Sequence, residues 1–283
     1  MPYLSDFLAY ASEQLKKSSE SPSLDAALLI EAVTAISPTS QKWRNDELTQ
    51  TQIEQLEGLL QRRLQGEPMA YLLGNQPFYD IKLKVTPATL IPRPDTEHLV
   101  EAALARIPKE ANWHIADLGT GSGAIAIAIA KHRPNAQVVA VDNSAEALAI
   151  AQENVQLNTD KTVSLKSLQF QLGSWFEPLE KHRYHLIVSN PPYITSDDRH
   201  LAALQYEPRT ALVAENEGYA DLFYLIENAG EYLCDKGWLL LEHGYQQAAR
   251  LREYAQQYSH WKNIATLCDY GNNERITLMQ KRI

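Results

Sequence analysis

The stretch WHIADLGTGSGA, Trp113 to Ala124, constrains this chain more than any other. An apolar run stops at three closely spaced glycines and resumes as an alanine-rich segment. Gly119, Gly121 and Gly123 let the backbone turn sharply and let a ligand approach it closely. A strand running into a helix through such a loop presents unpaired N–H groups and a positive dipole end at the turn. Thr120 and Ser122 lie inside the loop. Nineteen residues after Gly123, Asp142 ends a second apolar run, QVVAVD. A carboxylate there can accept hydrogen bonds from both hydroxyls of a ribose.

Gly119, Gly121 and Ala124 also satisfy the dinucleotide pattern G-x-G-x-x-A. The loop alone therefore specifies only a nucleoside-type ligand on a doubly wound sheet. Asp117 narrows the choice. An acid two residues before the first glycine repels a pyrophosphate, whereas it attracts a sulfonium ligand that carries an ammonium group, or orders the loop by capping local N–H groups.

Strand and helix signals alternate from Trp113 onward. WHIADLG, QVVAVD, LQFQLG, YHLIVSN, GWLLLEHG, WKNIATLCDY and ERITLMQKRI read as seven strands. SAEALAIAQENVQLN, DLFYLIENAGEYL and QQAARLREYAQQY read as helices between them. Several strands are continuous apolar runs, which suits a mostly parallel sheet covered on both faces. GAIAIAIAKH alternates every second residue, as a strand would. It is assigned to a helix because a strand ends just before it and a right-handed crossover needs a connecting helix.

The first 70 or so residues read differently. Leu4, Phe7, Leu8 and Leu15 share one helical face, SPSLDAALLIEAVTAI follows with Ser21 or Ser23 as a cap, and NDELTQTQIEQLEGLLQRRLQG repeats leucines up to a stop at Gly66. IKLKV then alternates as half of a hairpin, and IPRPDTE is a stiff loop ending in Asp95 or Thr96 as cap for the helix TEHLVEAALARI. The expected fold is α/β: a seven-stranded, doubly wound, mostly parallel sheet with a small helical bundle before it. The expected divisions are a helical substrate-recognition domain over 1–73, a β-hairpin and proline-rich connector over 74–97, and the sheet domain over 98–283.

Net charge is −9 over 283 residues, which argues against a protein that mainly tracks nucleic-acid phosphates. Cys234 and Cys268 make neither a disulfide framework nor CxxC metal spacing, so a reducing cytoplasm is the expected compartment. The N-terminal residues lack the order of a secretory signal, and no uncharged apolar run reaches bilayer length, so no membrane association is expected. No metal site is expected either, since Glu242 and His243 stand alone.

The run HLIVSNPPYIT ends in Asn190-Pro191-Pro192-Tyr193. Two consecutive prolines cannot continue a ladder. At the carboxyl end of a strand they hold a rigid turn facing the glycine loop, if the first and fourth strands are neighbours. A planar amide or amino nitrogen is a poor nucleophile. The Asn190 side-chain oxygen can accept one of its N–H groups and the Pro191 carbonyl the other. So held, the nitrogen sits about 3–3.5 Å from an electrophilic carbon. The acceptors need no reorganisation, and Tyr193 offers a face for stacking. Glycine loop and NPPY together resemble the class I S-adenosylmethionine methyltransferases, whose fold is Rossmann-like.

Further segments carry a closer resemblance: RRLQGEPMAYLLGNQPFYDIKLKV, LIPRPDTE, SNPPYI, YEPRTAL, LLLEHG and DYGNNERITL. Over nearly the whole chain they look like the protein-(glutamine-N5) methyltransferases of peptide-chain release factors, the HemK/PrmC family. The resemblance implies methyl transfer from S-adenosyl-L-methionine, with S-adenosyl-L-homocysteine as product, to the glutamine of a release factor's Gly-Gly-Gln tip. It implies that Gly119 to Gly123 and Asp142 hold the cofactor, that Trp175 lines its adenine, that Asn190 touches cofactor and glutamine, and that Pro191, Pro192 and Tyr193 hold the glutamine. Arg93, Pro94 and Glu97 fall in the family's connector motif, near the mouth of the site. One departure stands out: Ser174 occupies a position where an acidic residue commonly reads the adenine amino group.

Three other readings share some of these features. An adenine-N6 methyltransferase on DNA or RNA shares the glycine loop and NPPY, but wants a basic, aromatic-rich segment that this chain lacks. A nucleoside-binding subunit without turnover leaves NPPY unexplained. A nicotinamide dehydrogenase leaves it idle as well.

Overall fold

The computed structural model describes residues 3–159 and 165–283. The chain divides into two compact units, Met1–Asn75 and Gln76–Ile283.

The first unit is helical: α1 (Leu4–Leu15), α2 (Pro22–Thr34), α3 (Pro38–Gln41), α4 (Gln50–Leu64) and α5 (Met69–Leu73). Leu4, Phe7, Ala11 and Leu15 make one buried stripe of α1, packed with Leu29 and Ile30 of α2 and Leu56 and Leu60 of α4. The last long helix starts at Gln50, not at Asn45. Thr49 supplies a capping box with Gln52, so the start is set by two reciprocal hydrogen bonds. Ser21 stands at the N-cap position of α2 but makes no side-chain cap bond.

The second unit begins with a two-stranded ribbon, β1 (Asn75–Phe78) and β2 (Ile81–Lys84), followed by α6 (Pro94–Arg106). Helix α6 starts at Pro94, one residue before the expected caps. Arg93 holds the N-cap position without a side-chain capping bond, and proline at the first helical position needs no N–H partner. The order then runs β3 (His114–Leu118), α7 (Ala124–His132), β4 (Gln137–Asp142), α8 (Ala145–Asn158), β5 (Leu168–Leu172), β6 (Tyr184–Ser189), a one-turn α9 (Glu215–Gly218), α10 (Ala220–Tyr232), β7 (Leu233–Glu242), α11 (Ala248–Gln256), β8 (Trp261–Cys268) and β9 (Glu274–Lys281). The fifth strand of the sheet starts at Leu233, directly after α10 and four residues before the expected Gly237.

The seven strands align as β5-β4-β3-β6-β7-β9-β8. All pairs are parallel except those made by β9. Strand residues alternate between two layers. Ile115, Val138, Leu186, Val188 and Leu240 face α6 and α7, while Ala116, Leu118, Ile187, Leu239 and Leu241 face α10 and α11. Helix α7 is buried from Ala124 to Ala130. With no solvent face, its period-2 isoleucines report nothing about exposure, and the helix assigned from context is the observed one.

Strands β3 and β6 are neighbours in the sheet although β4 and β5 lie between them along the chain. Strands β4 and β5 extend the sheet one way from β3; β6 and β7 extend it the other. Such a reversal leaves a crevice outside the carboxyl ends of the two central strands. The ribbon is fastened nearby. Asn154 of α8 accepts from the Lys84 amide at 2.6 Å and donates to its carbonyl at 3.0 Å. Asn158, one turn on, makes the same two kinds of bond with Lys82. These side chains satisfy the backbone edge of β2 and aim the following segment, residues 85–93, toward the crevice.

Candidate active site

Leu118 pairs with Ser189 at the ends of β3 and β6. The next residues are Gly119 and Asn190, so the glycine loop and the NPPY turn emerge side by side. A cavity of about 300 Å³ lies at this point, lined by Gly119, Gly121, Asp142, Trp175, Asn190 and Pro192 among others. Pro87 to Leu90 from the ribbon side and Pro208, Thr210 and Ala211 complete its wall.

The loop is built for bare backbone. Gly119, Gly121 and Gly123 all have positive φ. A side-chain carbon added at Gly121 would meet nothing within 4 Å, which leaves open space for a ligand against the backbone. Gly123 serves packing instead, since a Cβ there would lie 3.0 Å from Ile127 and 3.2 Å from Ala151. Thr120 and Ser122 are buried behind the loop; the Thr120 hydroxyl donates to Asp117 at 2.6 Å. Asp117 itself is fully buried, and burial pushes its carboxyl up to about 7. Of the two roles left open for it, loop ordering is the one with visible contacts.

Asp142 lines the cavity. It accepts from the Gly121 amide at 2.8 Å and the Ser144 amide at 2.9 Å, so it ties the glycine loop to the start of α8. Burial raises its carboxyl above the ordinary value while these amides pull it down. Each oxygen keeps a second lone pair for hydroxyl donors. Trp175 forms another wall. Its backbone has a positive φ of 49°, its ring lies 3.5 Å from where a Gly119 side chain would begin, and its indole lies beside the Asp221 carboxyl. A flat ring beside a carboxylate-lined pocket and exposed loop amides suits a nucleoside.

Asn190 faces the cavity from the other strand. Its Nδ2 donates to Thr96 Oγ1 at 3.2 Å. The buried Glu242 carboxyl lies beside Thr96 and Asn190, which pull it down against the larger upward push of burial. The amide's donor end is thus engaged with protein, and its acceptor oxygen is the end left for a ligand. Pro191 is buried and, like Tyr193, lies outside the cavity lining. The Tyr193 ring packs on the core layer of α10 and α11. Burial, and then Glu242, raise its phenol well above the ordinary value, so it stays neutral. Its carbonyl accepts from Gln247 Nε2 at 3.2 Å, a bond the same nitrogen also makes to Gly218.

Residues 6–74 match the PrmC N-terminal domain family, and residues 96–212 match the Methyltransferase small domain family. The chain is 44% identical over 275 residues to the release factor glutamine methyltransferase of Escherichia coli (strain K12), covering 96% of each chain. It is 46% identical over 264 residues to that of Salmonella typhimurium (strain LT2), covering 92% of this chain and 93% of the relative. This chain belongs to the release factor glutamine methyltransferases. Among solved structures, a ribosomal protein L11 methylase from Lactobacillus delbrueckii subsp. bulgaricus shares the fold, with a TM-score of 0.51 at 21% identity over 74% of this chain and 90% of that one.

The connector motif is held by a residue far along the chain. Glu207 is buried; it accepts from the Ile91 amide at 2.9 Å and forms an ion pair with Arg93. Glu97 accepts from the Tyr79 amide at 2.8 Å and so fastens the ribbon to α6. Pro94 starts that helix. None of these three connector residues lines the cavity. Ser174 does not line the cavity, and its amide donates to Glu177 at 2.9 Å. Glu146, Asn143 and Ser144 are the polar side chains at the cavity beside Asp142. Among the described residues no cluster of three metal-ligating side chains occurs, and no helix is long and apolar enough to cross a membrane.

Sequence reasoning missed Thr96, Glu242 and Gln247 as partners of the NPPY turn. It read Thr96 as a helix cap and Glu242 as half of an idle acid–histidine pair. His243 is indeed structural: its Nε2 meets Thr277 Oγ1 at 2.9 Å, and burial pushes its imidazole down to about 4.

Proposed function

We propose that this chain methylates the side-chain amide nitrogen of a glutamine, that of the Gly-Gly-Gln tip in a peptide-chain release factor, with S-adenosylmethionine as donor. The observation that carries the proposal is the position of Asn190: beside Gly119 in one cavity, with its donor end bonded to Thr96 and its acceptor oxygen unspent. The glutamine reading of the acceptor rests on the family to which the chain belongs.

The residues present fit such a donor. The bare face of Gly121 leaves room at the backbone, Asp142 can take two hydroxyls and the Trp175 ring can cover a base. When bound there, S-adenosylmethionine supplies an electrophilic methyl carbon. The chain's own contribution is placement. Asn190 Oδ1 and the Pro191 carbonyl accept the two N–H groups of the substrate amide, which turns its nitrogen toward the donor side. The two prolines keep these acceptors from relaxing, so little reorganisation is left for the moment of reaction. No carboxylate lines the amide position in the NPPY turn itself, which suits release of the proton to water after transfer.

The helical unit, Met1–Asn75, is proposed to grip the release factor away from its tip, in the reducing cytoplasm. An acidic protein suits a partner with basic, RNA-facing surfaces. The decisive experiment offers labelled methyl donor with an intact release factor, its Gln→Ala tip variant and duplex DNA. Label on the intact factor alone is the expected result. Label on the DNA would overturn it in favour of an adenine methyltransferase.

A further inference from the structure

Resting on that reading, we infer that Thr96 and Glu242 are positioning residues that set which end of the Asn190 amide faces the substrate. An asparagine side chain can rotate by half a turn and exchange its oxygen for its NH₂ with little change in shape. Only one of these orientations can accept a substrate N–H. The turn of two prolines fixes the backbone of the motif but not this rotation, so something else must choose.

Two buried groups are placed to choose. Ser189 pairs with Leu241, so Asn190 and Glu242, the next residues of β6 and β7, lie side by side. Thr96, in the first turn of α6, reaches the same point from outside the sheet. Glu242 is 1% exposed and Thr96 4% exposed. Asn190 Nδ2 donates to Thr96 Oγ1 at 3.2 Å, and the Glu242 carboxyl lies beside both side chains. A hydroxyl has one proton. Given to Glu242, it leaves Thr96 Oγ1 only able to accept, and so selects the NH₂ end of Asn190. The carboxyl makes the same selection directly. While Glu242 is ionised, a flipped amide would set its oxygen against two acceptors in a dry pocket, an arrangement that leaves buried polar atoms unpaired.

Glu242 Oε2 is buried and has no hydrogen-bond partner among the described residues. A half-satisfied carboxyl at this depth is costly for the fold. It is harder to explain as a packing residue than as an orienting one. Thr96 and Glu242 do not line the cavity, so neither is expected to touch the substrate.

The test is steady-state methylation of an intact release factor by Thr96→Val, Thr96→Ser, Glu242→Met and Glu242→Gln in the full chain at a pH of about 8.5, where Glu242 is ionised, with donor affinity measured by calorimetry. Valine keeps the shape of threonine and removes the hydroxyl. The expected result is a fall in kcat of about tenfold to 100-fold for Thr96→Val and Glu242→Met. KM for the factor and Kd for the donor should stay within about twofold. The conservative variants Thr96→Ser and Glu242→Gln keep an acceptor in place and should recover kcat to within about threefold of wild type. A Thr96→Val enzyme as fast as wild type overturns the inference, and so does a Thr96→Ser enzyme as slow as Thr96→Val. Unchanged donor Kd guards against loss of fold as the cause. If wild-type protein itself fails to methylate the factor, the function proposed above fails instead.

Discussion

The Ser189 hydroxyl donates to the Leu118 carbonyl at 2.6 Å, joining the last residue of β6 to the last residue of β3. Both residues are fully buried. One position further, the two strands become Asn190 and Gly119. The bond therefore closes the gap between the sheet's two central strands where they hand over to the two loops of the site. Ser189→Ala should cost about 1 kcal/mol and lower the melting temperature of the sheet unit by about 2–4 °C. Thermal unfolding of both proteins checks this; an unchanged transition would mean that the strand ladder alone sets the spacing.

Asn190→Ala removes the acceptor while leaving the two prolines. Loss of one preorganised polar group of this kind costs about 100-fold to 1,000-fold in kcat. Donor affinity should fall far less, because Gly119, Gly121, Asp142 and Trp175 are untouched. Single-turnover methylation and calorimetry separate the two. A variant that keeps most of its turnover would refute the acceptor role.

Asp142→Ala should act the other way. The carboxylate faces the cavity and also holds the Gly121 and Ser144 amides. Hydrogen bonds to a charged group are worth about 1.5–3 kcal/mol, so donor Kd should rise about tenfold to 100-fold. With donor in excess, kcat should change little. Equal losses in both constants would point to a collapsed loop.

Burial pushes the Glu242 carboxyl from an ordinary 4.5 up to about 7. The folded chain then holds a proton that the unfolded chain has released. The associated stability is complete below pH about 4.5 and is lost as pH rises to about 7. Glu242→Gln cannot ionise, so its stability relative to wild type should improve across that window by on the order of 1–3 kcal/mol, then level off. Asp117, raised to about 7 for the same reason, is common to both proteins and drops out of the difference. Chemical denaturation at a series of pH values gives the comparison. A flat difference would show that Glu242 ionises normally.

Removing residues 1–75 should raise KM for an intact release factor while leaving a short glutamine peptide nearly unaffected. The two units carry separate buried clusters, which is why the remainder is expected to fold. Equal losses on both substrates would count against a gripping role for the helical unit.

Much of this protein was readable along the chain. Seven strand positions, the alanine-rich helix, the glycine loop and the NPPY turn all follow from period, turn residues and missing donors, which are properties of a few neighbouring residues. The observed strand QVVAVD even has the expected bounds. Less was readable where a residue's task lies far away in sequence. Thr96 looked like a cap because caps are polar residues before helices, yet its hydroxyl accepts from Asn190 and lies beside Glu242. Asn154 and Asn158 sit in a stretch read only as a helix, yet they finish the edge of β2.

Local covalent constraint is what the chain carries openly: glycine permits the loop at 119–123, and proline stiffens the turn at 190–193. Which of Asn190's two ends meets a substrate is a different matter. It depends on a hydroxyl from α6 and a carboxyl from β7 meeting beside β6, and that meeting exists only once the parallel register of β3, β6 and β7 has formed. A rotation that costs the isolated side chain nothing acquires a preferred direction from buried neighbours.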